Sequence, residues 1–154
     1  MLAVKRTEDT RKTIEREEDM RYKSEITQLT KKHWLDAGYD IYSNETVIIK
    51  PKGSAIIGTN LYVEIPDGYA GLLWSRSGLS CNYEIETGAG CIDSSYRGEV
   101  KVHLYNHSDL PYTVNKGDKI TQMLIVPVKL GTWQKVNELS ETERGEKGFG
   151  STGV

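Results

Sequence analysis

The sequence predicts an all-β domain, a jelly-roll-like β-barrel, and three observations carry that expectation. Short runs rich in Val, Ile, Leu and Tyr recur from about residue 37 to residue 136. Turn signals built on Pro, Gly, Asn and Asp interrupt them at close spacing. The prolines at 51, 66, 111 and 127 fall at the edges of these runs, where a missing N–H is tolerated.

Taken in order, residues 1–19 form a charged N-terminal extension outside the β pattern. Sixteen of the first 32 residues are charged, nine positive and seven negative, and Ile14, Met20 and Ile26 are too sparse for an apolar helix face. A solvated appendage is the favoured reading of this segment, with a protein-binding role as its alternative. The β domain spans 20–136. "RYKSEITQL" fits a first strand, and "TVIIKPKGSAIIGTNLYVEIPDGYAGLLW" alternates strand-forming runs with turns at Pro51-Lys52-Gly53 and Pro66-Asp67-Gly68. "SGLSCNY" fits a short helix. Gly-rich "GAGCIDSSYRGEV" predicts a hairpin with a cleft side. "GEVKVHLYNHS", "YTVNKGDKITQMLIVPV" and "LGTWQKV" continue the strands. Residues 137–154 have no apolar period and read as a flexible C-terminal arm.

Composition narrows the function. The chain has 154 residues, 37% hydrophobic and 27% charged, with a formal charge of -2. That balance gives no general attraction for nucleic acid or membrane, and no run approaches the ~20 apolar residues of a membrane span. The start has no apolar signal region, so a cytoplasmic or nuclear setting is expected and secretion is not. Cys81 and Cys91 are then expected as reduced thiols. His33, His103 and His107 lack metal-ligand spacing, and Trp34, Trp74 and Trp133 are expected as core or interface anchors.

Five polar, glycine-rich islands stand out. In "DAGYDIYS", Asp36 and Asp40 fit a turn or a cation site. In "SRSGLS", Arg76 offers a fork of donors for phosphate, Ser77 a hydroxyl and Gly78 room for backbone approach. In "GAGCIDSSYRGEV", Asp93 follows an apolar Cys-Ile pair, a setting that would partly shield a carboxylate acting as a base. Tyr96 fits either the core or a flat face offered to a ring. In "GDKITQML", Gln122 is an outward polar residue or an amide that touches a ligand. Finally "RGEKGFGSTG" places the only Phe of the chain, Phe149, between two glycines. A lid that orders over a phosphate ligand, with Phe149 covering an aromatic base, explains both the glycines and the ring. The segment lacks the GxxxxGK[ST] pattern of a Walker loop.

In this order the five islands closely resemble the five motifs of the trimeric dUTPase family, from about Asp36 to Gly153. The resemblance implies hydrolysis of dUTP to dUMP and pyrophosphate, which limits uracil in DNA and supplies dUMP for thymidylate. It implies a homotrimer with sites at subunit interfaces, each drawing on more than one chain, and Mg2+ as cofactor. Asp93 matches the carboxylate that activates water against the α-phosphorus. Asp40 matches the acid that holds Mg2+ through water. Arg76, Ser77 and Gly78 match the phosphate loop, with Ser77 donating to the oxygen that bridges the α and β phosphates. Gln122 matches an amide at the phosphates. Tyr96 would pack on the sugar and exclude a 2′-hydroxyl. Main-chain groups around Thr87, Gly90, Ile92 and Lys101 would read the uracil edge. Arg144, Gly150, Ser151 and Thr152 would cap the terminal phosphates while Phe149 stacks on uracil. Ser75 stands where the family usually has Pro, which implies a less rigid approach to the phosphate loop. The related dCTP deaminases share the fold, and the Asp93–Tyr96 stretch with the Phe-bearing arm favours the hydrolase.

Overall fold

The computed structural model describes residues 20–26 and 28–146. Strand-forming runs and turns fall mostly where residue type dictates. The strands are β1 (Arg21–Lys23), β2 (Tyr39–Tyr42), β3 (Val47–Ile49), β4 (Ser54–Ile57), β5 (Tyr62–Glu64) and β6 (Tyr69–Trp74), followed by helix α1 (Ser77–Tyr83). Then come β7 (Ile85–Gly88), β8 (Cys91–Ile92), β9 (Val102–Asn106), β10 (Tyr112–Val114) and β11 (Lys119–Pro127). All strand pairs are antiparallel. One sheet has the order β2-β11-β6-β8 and another β4-β9-β7; the pairs β3-β10 and β1-β5 complete the jelly-roll-like architecture.

Period-two alternation builds the core. In β9, Val102, Leu104 and Asn106 turn inward while His103 and Tyr105 turn out. Ile41, Ile57, Leu61, Ile85, Leu104, Ile120 and Met123 join one continuous apolar cluster drawn from both larger sheets. Burying each such side chain contributes about 1.5–3 kcal/mol. The buried amide of Asn106 is fully used. It donates to the carbonyls of Ile49, Lys50 and Leu110 and accepts from the Ser108 N–H and hydroxyl. Removing it would orphan several main-chain groups at once.

Three readings of the sequence need correction. The 88–100 hairpin does not form: β7 pairs with β9, while β8 pairs with β6 in the other sheet. The chain crosses between sheets at Ala89-Gly90. Ala89 takes a left-handed φ of 48°, and Gly90 passes so close to β6 that a Cβ there would lie 2.7 Å from the Leu73 carbonyl oxygen. "LGTWQKV" forms no strand: β11 ends at Pro127, and residues 128–146 are exposed and belong to no strand among the described residues. Of the two roles expected for the tryptophans, core and interface anchor, the core role is excluded: Trp34, Trp74 and Trp133 are 91%, 60% and 101% exposed in the single chain. Of the expected first strand, only Arg21–Lys23 pairs, against β5, and Thr30 adds a single bridge to Asp40. Cys81 and Cys91 are free thiols, as expected, and both are exposed.

Candidate active site

A cleft of about 500 Å³ opens where β2, β11 and the start of α1 meet. Asp40, Arg76, Ser77, Gly78 and Gln122 all line it. Cross-strand register explains part of this gathering, because Gln122 of β11 sits opposite both Asp40 of β2 and Trp74 of β6. The chain then leaves β6 through Ser75 and reaches Arg76 beside the same two residues.

Lys119 also lines the cleft, and sequence reasoning missed it. In a regular strand, residues 119 and 122 would face opposite sides. The ladder shifts between Lys119 and Thr121, and consecutive Ile120 and Thr121 are both buried. This bulge turns Lys119 to the face that carries Gln122. The signal available in the sequence was a lysine straight after the Gly117-Asp118 turn; the bulge that aims it left no local mark.

Asp40 is clamped by two cations, the Arg76 guanidinium and the Lys119 ammonium, the latter at 2.8 Å. Burial pushes its carboxyl up, but the Lys119 hydrogen bond and the Arg76 charge outweigh that and hold it below the ordinary value. Lys119 is raised in turn, chiefly by its hydrogen bond to Asp40. With Lys32 and Asp36 on the wall, the cleft sets three cations against two carboxylates. Asp36 closes a turn, accepting from the His33 N–H at 2.8 Å. The arrangement suits a polyanion that can draw Arg76 away from Asp40.

The approach to the loop is not loose, contrary to what a serine in place of proline implies. The Ser75 hydroxyl donates to the Glu86 carboxylate and accepts from the Thr87 N–H at 2.9 Å. Its carbonyl accepts from the Gln122 amide at 3.1 Å. Gly38 lets Gln122 come this close, since a Cβ there would meet Oε1 of Gln122 at 2.6 Å. Gly78 differs: a Cβ there would touch nothing within 4 Å, so its missing side chain keeps the cleft open.

The second group of predicted residues does not line this cleft. Ile92 is buried and paired opposite Gly71, so strand alternation turns Asp93 outward, where it is exposed rather than shielded. The carbonyl of Asp93 accepts from the Tyr96 N–H at 3.0 Å. The Tyr96 hydroxyl donates to the Glu99 carbonyl at 2.8 Å, which fixes a half-exposed ring. Of the main-chain groups expected to read a base edge, the Thr87 N–H is taken by Ser75 and the Gly90 carbonyl by the Leu73 N–H. Lys101 and Arg144 are exposed. Phe149, Gly150, Ser151 and Thr152 lie outside the described residues. A separate hollow beside Leu29, Tyr39, Val63 and Ile65 is mainly apolar and unsuited to phosphate.

Comparison with known proteins gives the family. The family model for dUTPase matches residues 24–153. A deoxyuridine 5'-triphosphate nucleotidohydrolase of Debaryomyces hansenii is 42% identical, over 99% of both chains. One from fowlpox virus is 43% identical over 77% of this chain and 83% of its own. Among solved structures, a dUTPase of Staphylococcus bacteriophage 80alpha with dUPNHPP superposes with a TM-score of 0.83 at 35% identity, covering 88% of this chain and 99% of that one. A phage phi11 dUTPase, described with a structural Mg(II) ion, gives 0.73 at 31% identity over 80% and 99%. Sequence kinship along nearly the whole length and a shared arrangement of strands lead to one conclusion: the chain belongs to the dUTPase family.

Proposed function

We propose that the protein hydrolyses dUTP to dUMP and pyrophosphate, at sites completed between identical subunits of a trimer. The observation that carries this reading is the cationic cleft gathering Asp40, Arg76, Ser77, Gly78 and Gln122 in one chain. Asp93 and Tyr96 are exposed and outside that lining, and in this reading they complete the cleft of a neighbouring subunit. In this arrangement residues 20–136 build the body, 137–154 act as the arm and 1–19 are a solvated extension. The setting is cytoplasmic or nuclear, and nucleic acid is not a ligand.

The steps follow from side-chain chemistry. Asp93 accepts a proton from a water as its oxygen bonds to the α-phosphorus. The bond from that phosphorus to the α,β-bridging oxygen breaks, and its electron pair leaves with pyrophosphate. Ser77 donates to the bridging oxygen, where charge grows, and Arg76 exchanges Asp40 for phosphate oxygens. Gln122 braces the loop through Ser75 and keeps a second N–H for the phosphates. Tyr96, its ring fixed by its own hydroxyl, packs on the sugar where a 2′-hydroxyl would need space. The main chain at Ile92 and Lys101, with the remaining main-chain groups of Thr87 and Gly90, reads uracil. Phe149 covers the base while Arg144, Gly150, Ser151 and Thr152 close over the outer phosphates.

The residues fit a magnesium ion carried by the substrate. Such an ion keeps several waters and takes one or two carboxylates plus phosphate oxygens. Asp40, with Asp36 on the same wall, offers that limited set, and no cluster of three metal-ligating side chains exists among the described residues. Asp40 would hold Mg2+ through water, and the ion would supply neutralisation of phosphate charge.

A panel of deoxy- and ribonucleoside triphosphates with Mg2+ tests the proposal, using the full chain and a form lacking residues 144–154. Pyrophosphate should come from dUTP alone, and the shortened form should lose most of that activity. Ammonia from dCTP, or full turnover without the arm, would overturn the reading or the role of the arm respectively.

A further inference from the structure

What holds the phosphate loop still is unusual for so short an element. The loop runs into helix α1, whose first two residues are Ser77 and Gly78, and no residue of α1 is buried; Leu79 is only partly covered by the core. Arg76, at its N-cap, makes no capping side-chain bond. Apolar packing therefore does little to fix where Arg76, Ser77 and Gly78 sit. Polar ties to β7 do more. One Glu86 carboxylate oxygen accepts from the Ser75 hydroxyl and the other from the Ser80 hydroxyl. The two serines bracket the loop, one before Arg76 and one a turn into the helix.

The rest of the network locks this clamp to the sheet. Ser75 also accepts from the Thr87 N–H, one residue beyond Glu86. The Thr87 hydroxyl lies 3.1 Å from the hydroxyl of buried Thr121, which donates to the Trp74 carbonyl at 2.9 Å. The donors are matched to an ionised acceptor, since the hydrogen bonds from Ser75 and Ser80 hold the Glu86 carboxyl below its usual value.

We propose that Glu86 is a positioning residue for the hydrolysis, gripping Ser75 and Ser80 so that Arg76, Ser77 and Gly78 meet the phosphates in fixed geometry. Glu86 does not line the phosphate cleft; its effect is exerted through the loop. The inference rests on the dUTP-hydrolysing reading above and adds a residue to it. Loop groups that oppose charge developing late in the reaction stabilise the transition state more than bound substrate, so their misplacement lowers kcat more than it raises KM.

The test is steady-state dUTP hydrolysis and thermal unfolding of the full chain, comparing the parent with Glu86→Ala, Glu86→Gln, Ser80→Ala, the Ser75→Ala/Ser80→Ala pair and the combined triple variant. Glu86→Ala should lower kcat about 10- to 100-fold, the scale set by small misplacements of catalytic groups. KM should move less than about threefold. The serine pair should match that loss, and the triple variant should lose no more, because the three residues act as a unit. Glu86→Gln keeps the shape and can still engage both hydroxyls, so most of the rate should return. Should Glu86→Ala fail to fold, Ser80→Ala, which removes one arm of the clamp at a half-buried site, still reads the effect. A kcat per folded molecule within about twofold of the parent in Glu86→Ala or the serine pair, or losses that multiply in the triple variant, would overturn the proposal. A parent that releases no pyrophosphate would instead overturn the hydrolytic reading itself.

Discussion

The wall bearing Asp40 and the loop bearing Asp93 contrast in how they are built. Asp40 sits on β2 opposite Gln122 of β11, with Arg76 and Lys119 on its oxygens, Gln122 braced against Ser75, and Ser75 braced against Glu86. Each member is restrained by at least one other element of the fold. The 93–99 loop turns on itself at the acid's end, through Asp93 to Tyr96, Tyr96 to Glu99 and Arg97 to Ser94. It is anchored at its far end, where Glu99 accepts from the Thr59 and Asn60 N–H groups and bridges Tyr62, with surface ties to Asp67 and Glu64. Its acid faces water. In the proposed reading, the phosphate-binding wall is prepared inside one chain, while the residue assigned to proton removal is offered outward. That difference makes sense if the two halves meet only when subunits do.

The sharpest way to break this comparison is Asp93→Asn. An exposed loop residue should cost the fold little, within about 0.5 kcal/mol. Its loss should lower kcat about 10²- to 10⁴-fold, with binding of a non-hydrolysable dUTP analogue retained. Parental turnover in purified Asp93→Asn would remove the proton-accepting role. The next test mixes two inactive proteins, Asp93→Asn and Arg76→Ala, after joint unfolding and refolding. If sites form between chains, some combine an intact Arg76 with an intact Asp93, and random assembly should restore about a quarter of parental activity. A mixture as inactive as its components would mean each chain completes its own site.

The smallest effect concerns acid. The folded pKa values of Asp40 and Glu86 lie below their ordinary values of 3.8 and 4.5. Carboxylates depressed in the fold stabilise it fully above the unfolded value, and that contribution fades as pH falls through the folded value. Urea midpoints measured downward from pH 6 should therefore drop for the parent once below about 4.5, and more gently for Asp40→Asn. Parallel curves would show that the ion pairs at Asp40 add nothing to folding.

Much of the molecule was legible because its chemistry is local. Turns at Pro51-Lys52-Gly53 and Pro66-Asp67-Gly68, the short helix after Arg76 and the Asp40, Arg76 and Gln122 islands announce themselves by residue type. What stayed hidden depends on partners distant in sequence. β7 and β8 look like a hairpin until their true neighbours, β9 and β6, are known. Lys119 reads as an ordinary strand residue until a bulge in β11 turns it toward Asp40. Ser75 looks like a loosened proline site until Glu86, eleven residues later, takes its hydroxyl. Residues 128–136 have β-forming side chains but join no strand among the described residues.

The three tryptophans carry a practical corollary. All project from the surface of the single chain, and Trp133 is as open as in an extended peptide. An isolated folded subunit should then emit at nearly the wavelength of denatured protein, so intrinsic fluorescence is a poor gauge of whether it has folded. A blue shift that grows with protein concentration would instead register subunits closing over those indoles, giving an optical readout of assembly without any added label.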